Sequence, residues 1–68
     1  MGTVARVTEI SARSTDSFED AVRIGIDRAT KTLRNVESAW VKEQRVVIEG
    51  GAIQAYKVNL NVTFELDA

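Results

Sequence analysis

Cysteine and histidine are both missing from this 68-residue chain. Their absence excludes disulfides, the common zinc sites and the usual nucleophile–base pairs and proton shuttles. Long hydrophobic runs are missing too: none approaches the ~20 residues that a membrane-crossing helix needs. Nor does charge of one sign prevail, since nine Lys and Arg face ten Asp and Glu for a net −1, mixed along the chain. That balance gives no electrostatic reason to expect nucleic acid or an anionic membrane as partner. Met1 to Arg6 leads straight into alternating sequence, so no signal peptide is expected. Arg6 also stands where a myristoylation site wants Ser or Thr. With no Walker loop either, the expectation is a cytoplasmic protein that is not an enzyme.

The length allows one domain, residues 1–68. A chain this short buries only about 60% of the surface that its unfolded form exposes. Small scaffolds usually compensate with disulfides, a structural metal or oligomerisation. The first two lack their ligands here, so a homo-oligomer is expected.

Residues Thr3 to Ile10 read as a first strand, ended by the polar stretch Ser11–Asp16. Asp16 followed by Glu19 resembles a capping box, with Ser17 to Asp20 as the competing frame. Beyond it Phe18, Val22, Gly25 or Ile26, Ala29, Leu33 and Val36 recur at helix spacing, which predicts a helix over roughly residues 16 to 34. Acidic residues in its first turn and basic ones in its last suit the helix dipole. Ala39 to Glu49 reads as a second strand, and Gly50-Gly51 as a two-residue hairpin turn requiring positive φ. In the third strand Tyr56, Val58, Leu60, Val62, Phe64 and Leu66 share one face, and Lys57, Asn59, Asn61, Thr63, Glu65 and Asp67 the other. The implied fold is α+β, β-α-β-β, with one helix packed on a three-stranded antiparallel sheet.

A two-residue turn at Gly50-Gly51 pairs Glu49 with Ala52, Val41 with Leu60 and Gln44 with Lys57. The face away from the helix then carries Ser38, Trp40, Lys42 and Gln44 beside Lys57, Asn59 and Asn61. Glu43 and Arg45 fall on the helix side, near the end of the second strand, as candidates for an inter-subunit ion pair, with a plain exposed pair as the alternative. A third strand of about 14 residues, near 45 Å, outruns what a 19-residue helix of about 28 Å can cover, so strand surface is left for another subunit. Trp40 on the open face is read as an interface anchor, with a ligand platform as the alternative. Lys57 amid Asn59 and Asn61 is a solvated strand position or, more sharply, a donor lining a pocket between subunits. Asp16, Glu19 and Asp20 are better explained by helix capping than by a cation. Glu65 and Asp67 suit a plain solvated edge better than a weak calcium site, and no metal is expected.

Val7-Thr8-Glu9-Ile10 ahead of the helix, Asp27-Arg28-Ala29 and Lys31-Thr32-Leu33-Arg34-Asn35-Val36 at its end, and Tyr56-Lys57-Val58 through Val62-Thr63-Phe64-Glu65-Leu66 in the last strand resemble the dodecins. The likeness covers nearly the whole chain and extends to the strand–helix–hairpin order. It implies a hollow sphere of twelve subunits, whose flavin-binding members hold paired isoalloxazine rings in pockets between subunits and store or quench flavins without turning anything over. The family's flavin determinants carry over unevenly. Ser38, five residues before Glu43, stands at the place of the stacking Trp. Lys57 replaces the Gln that bonds the flavin edge. Arg45 keeps a basic residue that some bacterial members use for the flavin phosphate, while its companion late in the last strand is Glu65, of opposite charge. The resemblance therefore implies a homododecamer whose inter-subunit pocket, marked by Ser38, Trp40, Arg45, Lys57 and Glu65, has diverged. Such a shell would hold another small molecule or ion, or serve structurally, and the cofactor stays open, with flavin disfavoured. The alternative is a conventional riboflavin- or FMN-sequestering dodecin in which Trp40 replaces the usual stacking residue.

Overall fold

The computed structural model describes residues 1–67. Its elements in chain order are β1 (Ala5–Ser14), α1 (Phe18–Thr32), β2 (Val36–Glu49) and β3 (Ala52–Glu65). They form the expected β-α-β-β arrangement, an antiparallel sheet of order β1-β3-β2 with the helix on one face. The central strand supplies the core. Val58, Leu60 and Val62 alternate along β3 and are fully buried, or nearly so, against the small residues Ala21 and Ala29 of the helix. Gly25 lies between those two, and a Cβ there would come within 3.0 Å of the Leu60 side chain and 3.2 Å of Ala12. The buried stripe Ala21–Gly25–Ala29, one residue per helical turn, is thus what lets α1 sit close on the sheet. Ala21 escaped the apolar pattern read from the sequence, which ran through its neighbour Val22 instead.

Helix α1 begins at the alternative frame and not at Asp16. Ser17 is extended, and its hydroxyl accepts the Asp20 backbone N–H at 2.9 Å. Ser14 is buried and donates its hydroxyl to Asp20 Oδ2 at 2.6 Å, while Arg23 donates to Asp20 Oδ1 at 2.6 Å. These contacts, the Ser14 hydroxyl foremost and then Arg23, hold the Asp20 carboxyl below its usual range. Phe18 then packs edge-on against Tyr56, ring centroids 5.1 Å apart. Past the helix, Asn35 takes the left-handed conformation (φ 61°) and its backbone carbonyl accepts from Glu65 N–H at 3.0 Å, which starts β2 at Val36, three residues before the expected Ala39.

Strand β1 also runs further than its composition suggests. Ser11 to Ser14 pair with Asn59 to Tyr56, so ladder pairing overrides the polar character of that stretch. The Gly50-Gly51 turn is as read, with φ of 61° and 78°, and Glu49 faces Ala52. The register beyond it needs correcting. An irregularity opposite Val47/Ile48 leaves Gln54 as an extra residue on β3, and Lys42 is an extra residue on β2. The two bulges cancel, so Val41 does face Leu60; between them the pairing is shifted by one residue. Gln44 therefore lies opposite buried Val58 and not Lys57, on the helix side. Glu43 and Arg45, opposite Asn59 and Lys57, move to the face away from the helix.

The described chain is drawn out to 53 × 19 × 13 Å, with a Cα radius of gyration of 14.1 Å. A compact 68-residue domain would have about 11 Å. Its accessible surface is 4961 Å², where a compact monomer of this mass would expose about 4,200 Å². The β2–β3 hairpin is the drawn-out part: its 14-residue strands of about 46 Å outrun a 15-residue helix of about 22 Å. At its tip Ile48 and Ile53 sit directly opposite one another, 65% and 55% exposed.

Candidate functional site

On the sheet face away from α1, residues from three strands line up in rows. Nearest the turn is Arg13–Lys57–Arg45, then Ser11–Asn59–Glu43, then Glu9–Asn61–Trp40, then Val7–Thr63–Ser38. Polar contacts tie the middle rows together. Lys42 donates to Glu9 at 3.1 Å, and Asn59 bridges Glu9 at 3.1 Å and Glu43 at 3.3 Å. Arg45 approaches Glu43 at 3.5 Å as an exposed pair within the chain. The Lys42 ammonium, by its hydrogen bond first and its charge second, holds the Glu9 carboxyl below its ordinary value.

Ser38 and Lys57 share this face. They are not neighbours: Thr63, the partner of Ser38, is six residues from Lys57, or about 20 Å along the strand at ~3.3 Å per residue. Trp40 is half exposed and lies four residues from Lys57 on the same count, about 13 Å away. One subunit thus brings Arg45 and Lys57 together, and Ser38 and Trp40 together, but not the two pairs. Glu65 lies beyond both, opposite Ala5.

Beside Glu65, Glu37 places a second carboxyl; it is the extra residue where the β2–β3 pairing shifts between Val36 and Ser38. Their mutual hydrogen bond, with burial and like charge behind it, raises the Glu37 pKa. A carboxyl whose pKa is higher in the folded state stabilises the fold below its unfolded pKa and loses that contribution as pH rises through the folded value. Glu37→Gln should therefore raise the melting temperature at pH 7.5 and do less at pH 4. Thermal melts at the two pH values measure it, and an equal shift at both would contradict the assigned cause.

Two concavities flank the helix. One of about 390 Å³ runs between α1 and β2 past Val22, Ile26, Ser38 and Trp40. The other, about 610 Å³, lies between α1 and β1, lined by Ile10, Ala12, Gly25, Ala29 and Leu33, and contains none of the five family positions. Among the described residues no three acidic side chains gather to hold a metal ion. Both Asp20 oxygens are engaged by Ser14 and Arg23, and both Asp67 oxygens by Asn35 and Arg34. Among those residues, no helix is long and apolar enough to cross a membrane.

This architecture has clear relatives. The dodecin family model matches residues 4–67. The dodecin of Thermus thermophilus is 36% identical over 67 residues, covering 98% of this chain and 97% of that protein. Among solved structures, the dodecin from Streptomyces davaonensis superimposes with a TM-score of 0.93 at 35% identity over the full length of both chains. A Mycobacterium tuberculosis protein, described as a calcium-chelating immunodominant antigen with a novel calcium-binding site, aligns with a TM-score of 0.83 at 29% identity over 96% of this chain and 93% of its own. With its hairpin, its single helix and nearly every residue matched, this chain belongs to the dodecin family.

Proposed function

We propose that the chain works without catalysis as a hollow homo-oligomer, a dodecamer in the cytoplasm, with a pocket between subunits that has diverged from flavin stacking. The observation that carries this reading is the separation of the site: Ser38 and Trp40 lie at one end of an open sheet face and Lys57 and Arg45 toward the other. A cavity drawing on both ends needs more than one copy. The uncovered hairpin tip and the excess surface supply a reason for the copies to associate. Within such a shell, Ser38 offers no aromatic surface and Lys57 offers donors without an acceptor, so a small molecule or ion other than flavin is the fitting cargo.

The second reading, a flavin-sequestering dodecin that uses Trp40, draws on one feature. Trp40 is 51% exposed on the same face as Ser38 and only two residues along β2 from it, about 7 Å. The absorbance spectrum of the purified protein separates the two readings, since bound flavin colours it. On the favoured reading Trp40 is an interface anchor, and Trp40→Ala costs about 2 kcal/mol or more of assembly. Assembled mass and melting temperature measure this. A mutant that assembles and melts like the parent would remove Trp40 from the interface.

A further inference from the structure

The row Arg13–Lys57–Arg45 stands apart among the described residues. Three cations from three strands stand directly opposite one another on one face. Like charges so placed are destabilising by themselves. Among the described residues, Arg13 and Lys57 have no acidic partner within salt-bridge reach, and Arg45 has only the exposed Glu43 at 3.5 Å. Glu9 adds nothing, being held by Lys42. Two positive charges in the row are left uncompensated.

The row also depends on an irregularity. Without the extra residues Gln54 and Lys42, neutral Gln44 would face Lys57; the paired bulges substitute Arg45. Bulges that re-aim a side chain are frequent beside binding sites. On the side toward the turn the row is bordered by Val47 and Ala55, and on the other side by Asn59 and Glu43.

We propose that this row binds a polyphosphate group, two or more linked phosphates laid across the three strands. The outer strands are about 9.6 Å apart, two strand spacings, so linked phosphates can engage cations from all three, with each guanidinium gripping two oxygens. This deepens the reading of a diverged pocket and rests on it. It also goes beyond the resemblance, which gives Arg45 alone to a phosphate and puts Lys57 at a ring edge.

Calorimetric titration of the purified full-length protein with inorganic pyrophosphate tests it. Binding is expected at low ionic strength and should weaken at least tenfold in 0.3 M KCl. Lys57→Gln and Arg13→Gln should each weaken it tenfold or more, and Glu43→Gln should strengthen it. ADP binding as tightly as pyrophosphate would show that the phosphates alone are read; tighter ADP binding would show that the nucleoside is read as well. No pyrophosphate binding, or binding unchanged by Lys57→Gln and Arg13→Gln, overturns the proposal. So does a Lys57→Gln protein that loses assembled mass while the parent takes no pyrophosphate, since the row would then be neutralised by a second copy. Native mass of the same samples keeps the two readings apart. A monomer that still binds pyrophosphate through the row sinks the shell and leaves this site; an assembled shell that ignores pyrophosphate sinks this site alone.

Discussion

A protein carrying Ile48→Asp together with Ile53→Asp is expected to lose its assembled state at micromolar concentration while keeping its helix and sheet. The two isoleucines face each other at the hairpin tip, 65% and 55% exposed in the isolated subunit. Completely burying an isoleucine is worth about 1.5–3 kcal/mol, so covering what remains of this pair contributes about 2–4 kcal/mol per subunit. A carboxylate at either position reverses the sign, because it would have to be desolvated without a partner. In a symmetric assembly the change repeats in every copy. The tip lies away from the core built on Val58, Leu60 and Val62, so the subunit fold should survive. Sedimentation with far-UV circular dichroism reads both effects. An unchanged assembled mass would take the tip out of the interface.

Riboflavin should bind the unmodified protein poorly, and Ser38→Trp combined with Lys57→Gln should tighten it by a few orders of magnitude. Stacking on an aromatic ring is worth ~0.5–1.5 kcal/mol beyond area burial, and Ser38 provides no ring. Glutamine supplies both a donor and an acceptor for the mixed flavin edge, where Lys57 supplies donors alone. Lys57 is also flanked by Arg13 and Arg45, a charged setting for a neutral ring edge. The lost platform and the mismatched hydrogen bonds together cost several kcal/mol, at about 1.4 kcal/mol for each factor of ten. Quenching of flavin fluorescence during titration measures the affinity. Tight quenching by the unmodified protein would mean that Trp40, about 7 Å along β2 from Ser38, has taken over the stacking.

The elements were legible in the sequence because their signals are local. Helix spacing from Phe18 to Leu33, the Gly50-Gly51 turn and the alternation through Val58, Leu60 and Val62 each reach only a few residues. The extents of β1 and β2 were less legible, since Ser11 to Ser14 become strand only through pairing with β3. The register failed for a similar reason. Counting back from a two-residue turn assumes an unbroken ladder, and nothing in Gln54 or Lys42 announces a bulge. That one-residue slip sent Glu43 and Arg45 to the wrong face and hid the cationic row. The faces of Ser38 and Lys57 were read correctly, and because the two bulges cancel, the count from the turn already sets Ser38 opposite Thr63, roughly 20 Å from Lys57.

The claim on which the rest depends is that one subunit is only a fraction of the working object. Native mass spectrometry of the purified protein at micromolar concentration tests it most directly. A single assembled species of twelve chains, each of 7.5 kDa, is expected. A folded species at the mass of one chain would contradict it, since the open sheet face and the exposed hairpin tip would then have no partner.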